Sequence, residues 1–219
     1  QICVPLRQMH LQNLIHGDIK PGNIFVHHDA TCRLCSFGLS CGTSDAFSQS
    51  RLAASGGTPA YMSPEHTTRT RRAVDSRSDL YSLGIVLYEL LTGRLPFELS
   101  ADDQTNWAHY HIASEPLAPG RVRPDVPGML STIILKLLEK NPENRYQTVD
   151  GLIADLRRCQ ATLTVEGEIV DFIPGQQDRS PAIHLADSLF SAHPQASDVI
   201  AAFERVSQSG APEVVTIGG

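Results

Sequence analysis

The sequence contains no apolar run long enough to cross a lipid bilayer. Its longest apolar stretch, residues 83–91, is interrupted by Glu89, and a membrane-spanning helix needs about 20 apolar residues. No secretory signal peptide opens the chain. The five cysteines, an odd number at irregular spacing, do not make a disulfide framework. We therefore expect a cytoplasmic, reducing setting and no membrane partner.

Concentrated positive charge is also missing. Residues 1–97 carry nine Lys and Arg against seven Asp and Glu, whereas residues 98–219 carry nine against seventeen, for a net charge of -6. A nucleic-acid-binding domain instead gathers its basic side chains on one face. The basic cluster that is present consists of Arg69, Arg71, Arg72 and Arg77. We interpret it as a solvated face or an ion-pair site, and we expect no nucleic-acid partner.

What the sequence does contain is an ordinary globular composition, 41% hydrophobic and 19% charged. A chain of 219 residues can hold one large domain or one and a half average ones, and it can bury a core without disulfides or metal. The chain starts at Gln1 and stops in an apolar run that enters a glycine pair. We therefore interpret it as a fragment of a longer protein.

Apolar periodicity predicts a mainly α-helical fold with one small β-hairpin. Two short apolar runs, residues 24–26 and 32–35, flank a polar turn, as in a hairpin. Apolar side chains of residues 80–91 cover nearly the whole circumference of a helix, which predicts a buried central helix. Further helices are expected at residues 3–14, 102–113 and 129–138, and after a cap at Thr148. Residues 36–74 show little periodicity, and a long loop of this kind is usually functional.

The most informative stretch is residues 16–23, which read HGDIKPGN. A carboxylate, a lysine two residues on and an amide five residues on can share one tight loop. Phosphoryl transfer uses that set: Asp18 would accept the proton of the attacking hydroxyl, Lys20 would neutralise phosphate charge, and Asn23 would bind Mg²⁺. For this stretch alone, the alternative is a polar turn without chemistry.

Four more motifs follow along the chain. They are SFG at residues 36–38, GTPAYMSPE at residues 57–65, DLYSLG at residues 79–84, and Arg145. Together with the HGDIKPGN loop, this series resembles the signature set of the protein kinases, and the resemblance covers about residues 1–162. It implies a kinase-like C-terminal lobe, ATP and Mg²⁺ as cofactors, and phosphoryl transfer to a protein substrate.

The resemblance also implies a branch of the family. Lys20 and Thr58 match the serine/threonine branch rather than the tyrosine branch. In that branch Thr58 would contact Asp18 and Lys20 beside the acceptor hydroxyl. The alternative for Thr58 is a turn residue that precedes Pro59.

Within this resemblance, Asp79 would anchor the catalytic loop and Glu65 would pair with Arg145, and both of these roles are architectural. Two residues depart from the family pattern. Ser36 stands where the family has an aspartate that binds Mg²⁺, and a neutral hydroxyl does not supply the anionic oxygen that a hard cation prefers. Gly17 stands where the family usually has arginine, so a phosphorylated activation loop has no obvious partner.

The Gly-rich loop, the strand lysine and its glutamate partner of the family are not found in this sequence. We therefore expect that residues 1–162 lack the N-terminal lobe, that the cofactor site of Asn23 and Ser36 is impaired, and that this chain alone is inactive. Two functions stay open: a serine/threonine kinase, or a pseudokinase that acts as a regulatory or docking module in signal transduction. A truncated product without a stable fold is a third.

A metal-binding alternative uses His27, His28, Cys32, Cys35 and Cys41. A C-x-x-C pair with nearby histidines is typical of zinc sites. However, Cys32 and Cys35 lie in a predicted strand, where cysteine behaves as a small hydrophobe, and no second C-x-x-C completes a site. We therefore do not favour zinc.

The C-terminal quarter differs from the rest of the chain in its amino-acid pattern. We interpret residues 163–186, which mix polar residues with Gly and Pro, as a linker. Residues 187–219 hold a helical pattern and end in VVTIGG, as a strand that enters a phosphate-binding loop would. This segment resembles the start of the α/β P-loop ATPase domain that follows degenerate kinase domains in large hybrid sensor histidine kinases. The resemblance implies ATPase and histidine kinase domains of the same polypeptide as partners; the alternative is an ordinary surface helix and strand.

Overall fold

The structure is a computed structural model that describes most of the chain. The described residues are 1–29, 31–42, 58–67, 70, 72–97, 106–179, 203 and 205–207. The chain divides into two compact units, Gln1–Ser180 and Pro181–Gly219. In the second unit, Phe203 and residues 205–207 are helical, in agreement with the helical pattern predicted there. The apolar run at residues 214–219 lies outside the described residues.

Helices dominate the described part of the first unit. The helices are α1 (Cys3–Leu11), α2 (Ser76–Thr92), α3 (Trp107–Ala113), α4 (Pro119–Val122), α5 (Gly128–Leu137) and α6 (Val149–Glu166). The strands are β1 (Leu14–Ile15), β2 (Ile24–Val26), β3 (Cys32–Leu34) and β4 (Cys41–Gly42). The predicted mainly α-helical fold with a small hairpin is therefore confirmed for this unit.

The strands form two antiparallel pairs. Strands β2 and β3 make the predicted hairpin, with Phe25 opposite Arg33. Strands β1 and β4 pair with Ile15 opposite Cys41, and both of these side chains pack with Val74 in a small buried cluster. The sequence did not predict this second pair, because strands of two residues are too short to show an alternating pattern.

Helix α2 lies at the centre of the lobe. Every residue from 77 to 86 is buried, which confirms the predicted central helix, although Leu90 in its last turn is 74% exposed. Helix α2 packs against α5 at Gly84, where a Cβ atom would lie 2.8 Å from Leu137 Cβ and 3.0 Å from Leu138 Cδ2. The two helices therefore approach each other too closely for a larger residue at this position.

Specific residues set the ends of the helices. The Asp75 side chain accepts a hydrogen bond from Arg77 N at the start of α2, and α2 ends at Gly93 in the left-handed conformation. Thr148 Oγ1 accepts from Gly151 N at 3.0 Å, so Thr148 caps α6 as predicted. Helix α6 runs on to Glu166 and includes the first residues of the predicted linker.

Other parts of the lobe differ from the prediction. Helix α3 begins at Trp107, and residues 102–105 of the predicted helix lie outside the described residues. The single turn α4 was not predicted. The described parts of the predicted loop at residues 36–74 contain three 3₁₀ turns, Phe37–Leu39, Pro59–Tyr61 and Pro64–His66. Within the described ranges, no helix has both the length and the hydropathy needed to cross a membrane.

Candidate active site

One buried carboxylate holds the loop between β1 and β2. Asp79 of α2 accepts hydrogen bonds from His16 N at 2.8 Å and from Gly17 N at 2.9 Å, and His10 Nε2 of α1 donates to it at 2.9 Å. Burial would raise the pKa of Asp79, but these three donors outweigh burial and the pKa lies below its ordinary value. Asp79 is therefore ionised and anchors the loop, as predicted.

Asp18, Lys20 and Asn23 converge on one point of this loop. Lys20 Nζ lies 2.7 Å from Asp18 Oδ2. Asn23 Nδ2 donates to the same Oδ2 and to the Asp18 carbonyl, both at 2.8 Å, because the 3₁₀ turn Pro21–Asn23 folds the amide back. The Asp18 side chain is 11% exposed. The loop thus presents a carboxylate to solvent that is oriented by an amide and balanced by a cation, a suitable arrangement for a general base.

Thr58 reaches the loop from a distant part of the sequence. Lys20 Nζ donates to Thr58 Oγ1 at 2.7 Å, which is one of the two contacts that the resemblance implied. Within the described residues, Thr58 makes no hydrogen bond to Asp18, the other expected partner. The glycine that precedes Thr58 lies outside the described residues. A cavity of about 10 Å³ lies between residues 17–19, the segment 58–66 and Ser82. It has room for about one water molecule.

Two hydrogen-bond chains fix the segment that follows Thr58. Tyr61 OH donates to Glu89 Oε2 of α2 at 2.6 Å. His111 Nε2 of α3 donates to the Pro59 carbonyl at 2.9 Å, so His111 Nδ1 is free to accept from Tyr81 OH at 3.1 Å. Burial lowers the pKa of His111 to about 4, which keeps this imidazole neutral near neutral pH.

A second buried carboxylate ties the end of this segment to the lobe. Arg145 Nη2 donates to Glu65 Oε2 at 2.8 Å, Arg145 Nη1 donates to Glu65 Oε1, and Ser78 Oγ also donates to Glu65 at 2.8 Å. Neither side chain of the ion pair is more than 1% exposed. Burial would raise the pKa of Glu65, but Arg145 outweighs burial and holds it at about 2. The predicted ion pair is therefore confirmed.

Ser36 lies directly beside the loop. Cys35 N donates to the Asn23 carbonyl at 3.0 Å, His16 Nε2 donates to the Cys35 carbonyl at 2.9 Å, and the Phe37 ring packs edge-on against His16 at 5.4 Å. Ser36 itself is exposed and adopts the left-handed conformation with φ 65. Asp and Asn are enriched in this conformation, so the backbone would accept an aspartate at position 36.

The side chains present do not complete a magnesium site. Mg²⁺ is usually bound through one or two carboxylates together with substrate phosphates. Asn23 offers an amide oxygen and Ser36 a neutral hydroxyl, while the carboxylate of Asp18 is already engaged by Lys20 and Asn23. We therefore assign no reaction step to a metal ion.

The zinc alternative also finds no support in the described ranges. No group of three or more His, Cys, Asp and Glu side chains in those ranges is placed to hold a metal ion. His27 packs against His28 with ring centroids 3.9 Å apart, and it contacts Asp29. Cys32 and Cys41 belong to different strand pairs.

Sequence reasoning missed the two histidines that position the site. His10 is one histidine near the end of an amphipathic helix, and His111 is another, and neither lies in a motif of recognisable spacing. Their roles depend on contacts to residues 69 and 52 positions away. Only the folded chain brings these partners together.

The model of the protein kinase domain family matches residues 1–155 of the chain. The chain belongs to the protein kinase domain family. The matched residues contain the HGDIKPGN loop, Ser36, Thr58, the Glu65–Arg145 pair and Asp79.

Serine/threonine kinases are among the relatives. Serine/threonine-protein kinase PknB of Mycobacterium leprae (strain TN) is 40% identical over 159 residues, which cover 73% of this chain and 25% of that protein. Probable serine/threonine-protein kinase SCO3848 of Streptomyces coelicolor is 37% identical over 159 residues, 72% of this chain and 23% of that protein. These relatives support a kinase-like function, and the chain spans about a quarter of their length.

A relative of a different kind is hybrid signal transduction histidine kinase G of Dictyostelium discoideum. It is 34% identical over 178 residues, which cover 72% of this chain and 5% of that protein. The kinase-domain sequence of this chain is thus similar to a segment of a much longer signalling protein as well as to serine/threonine kinases.

Proposed function

We propose that residues 1–162 are the C-terminal lobe of a serine/threonine kinase-like domain in a multidomain signalling protein, and that its ATP-dependent phosphoryl transfer to protein serine or threonine is impaired. One observation carries the proposal. Asp18, Lys20, Asn23 and Thr58 lie within hydrogen-bond distance of one another in a connected chain.

Each of these residues has a role in the proposed chemistry. Asp18 would accept the proton of the substrate hydroxyl, because its carboxylate is oriented by Asn23 and is reachable from solvent. Lys20 would hold negative charge near the acceptor, and Thr58 would fix the position of Lys20 Nζ. ATP would supply the phosphoryl group.

Ser36 is the reason for proposing impairment. A serine hydroxyl carries no charge, so a divalent cation beside Asn23 would lose an anionic ligand. The rate of phosphoryl transfer would therefore fall.

The second candidate is a pseudokinase that acts as a regulatory or docking module. It is favoured by the combination of an uncharged Ser36 with a hydrogen-bonded scaffold, in which Asp79 holds the loop and Glu65 pairs with Arg145. In this proposal residues 187–219 begin a P-loop ATPase domain, and the regulated partners are the ATPase and histidine kinase domains of the same polypeptide. The likeness to a hybrid histidine kinase supports this candidate.

The test measures Mg²⁺-dependent ATP binding and transfer of labelled phosphate to serine and threonine peptides. It compares the parent with Ser36→Asp and Asp18→Asn variants, in this chain and in the longest reading frame that contains it. This chain alone should transfer no phosphate. In the longest reading frame we expect a weak parent signal that rises in Ser36→Asp and disappears in Asp18→Asn. Circular dichroism spectra that match across the variants serve as the folding control.

The outcomes separate the two candidates. Full activity in the parent that disappears with Asp18→Asn would contradict both impairment and the pseudokinase. A parent that stays silent, together with a silent Ser36→Asp variant that binds no ATP, would contradict the kinase and favour the docking module.

A further inference from the structure

Residues 168–179, here called the strap, follow helix α6 and lie outside the residues that match the kinase family. They nevertheless lie against the lobe. Ile169 and Phe172 pack against the main hydrophobic core, and the guanidinium of Arg158 lies 4.3 Å from the centroid of the Phe172 ring. Phe172 N contacts Met129 Sδ of α5 at 3.4 Å. Ile169 and Phe172 are partly buried by these contacts, whereas Val170 and Ile173 of the strap are exposed.

Two carboxylates hold the strap in place. Asp178 accepts hydrogen bonds from Thr148 N at 3.0 Å, from Thr148 Oγ1 at 2.7 Å and from Gln147 N. On α6, Asp155 Oδ2 accepts from Gly175 N at 2.6 Å and from Tyr146 OH at 2.6 Å. The carboxylate of Asp178 therefore lies at the N-terminus of α6, where unpaired amides and the helix dipole favour negative charge.

Gly151 makes room for this carboxylate. It lies in the first turn of α6, and a Cβ atom added to it would lie 2.5 Å from Asp178 Cβ. The three heavy atoms nearest to that added Cβ all belong to the Asp178 side chain. Glycine has a lower helix propensity than alanine, and the space that Gly151 leaves is filled by the Asp178 side chain.

We propose that the strap is an integral part of the kinase-like lobe, docked on α5 and α6, and that Asp178 acts with Thr148 as a second cap of α6. The folded lobe then extends to residue 179, beyond the family match and beyond the predicted domain boundary at residue 162. The strap fixes the point at which the chain leaves the lobe. It also connects that point to the first turn of α6, where Asp150 pairs with Arg7 of α1.

The test compares two glycine substitutions in the full chain by thermal unfolding and by amide hydrogen exchange. Gly128 at the start of α5 has nothing within 4 Å of an added Cβ. We expect Gly128→Ala to leave the Tm unchanged or to raise it by about 2–4 °C. Gly151→Ala should instead lower the Tm and remove exchange protection from the backbone amides of Gln147, Thr148 and Gly175.

An Asp178→Gly background makes the prediction independent of how well Gly151→Ala folds. Removing the Asp178 side chain removes the three closest obstacles, so Gly151→Ala should now raise the Tm, as Gly128→Ala does. Asp178→Gly alone should also remove exchange protection at Gln147 and Gly175. Three results would each overturn the proposal: a higher Tm for Gly151→Ala in the parent, the same Tm change in both backgrounds, or full protection of those amides in Asp178→Gly.

Discussion

At the scale of single residues, the Glu65–Arg145 pair gives the clearest prediction. Both side chains are almost fully buried, so a Glu65→Gln substitution would leave the arginine charge without its counter-charge. Glutamine has nearly the same size as glutamate, so the substitution removes the charge with little change in packing. We expect the free energy of unfolding to fall by about 3–5 kcal/mol. Urea unfolding followed by circular dichroism measures this difference.

The matched control is an ion pair on the surface. Arg123 Nη2 and Asp125 Oδ2 lie 2.8 Å apart, but their side chains are 55% and 64% exposed, so water screens their attraction. An Asp125→Asn substitution should leave the urea midpoint within experimental error of the parent. Equal losses in the two variants would contradict the conclusion that burial makes the first pair important.

At the scale of secondary-structure elements, the close approach of α2 and α5 is testable at Gly84. A Gly84→Ala substitution would improve helix propensity by about 1 kcal/mol, but the added Cβ would lie 2.8 Å from Leu137 Cβ. Overpacking of this kind costs about 1–3 kcal/mol. We expect Gly84→Ala to lower the free energy of unfolding in urea titrations. A stabilised variant would mean that α5 moves aside without cost.

The same elements explain how much of the fold could be predicted. Helix α5 was predictable because its apolar residues repeat every three or four positions, and α2 because apolar residues cover nearly its whole circumference. Strand β4 was not, because it has two residues and pairs with β1, more than 25 positions earlier. Docking of the strap was not predicted, because its composition is that of a linker. The packing of Ile169 and Phe172 and the hydrogen bonds of Asp178 to Thr148 become visible only in the folded chain.

The candidate site also contains some residues that the sequence predicted and others that it did not. Asp18, Lys20 and Asn23 lie in one loop, so their spacing alone predicted that they would meet. Thr58 joins them from 38 positions away, and only the resemblance to the kinases predicted that contact. His111 carried no sequence signal, because a single histidine on a helix gains its role from the Pro59 carbonyl that it reaches in the folded chain.

At the scale of the whole molecule, buried titratable groups make stability depend on pH in two windows. Burial lowers the pKa of His111 to about 4 and also lowers that of His66. In the unfolded chain these histidines become protonated near pH 6.5, whereas in the folded chain they stay neutral to lower pH. The free energy of unfolding therefore falls as the pH drops from about 6.5 to 4. Glu65 and Asp79 have depressed pKa values, so their contribution is present above about pH 4.5 and is lost as pH falls toward 2.

His111 and His109 lie on the same helix, and substituting each in turn isolates the effect of His111 on stability between pH 6.5 and 4. The shift of His111 corresponds to about 3 kcal/mol of unfolding free energy between pH 6.5 and 4. In His111→Gln, the amide can still donate to the Pro59 carbonyl and accept from Tyr81 OH, but it does not titrate. Urea unfolding at half-unit pH intervals should therefore give a shallower slope in this window for His111→Gln, while His109→Gln, at an exposed position of the same helix, should keep the slope of the parent. Identical slopes in all three proteins would mean that the folded chain admits a proton to His111 as easily as the unfolded chain does.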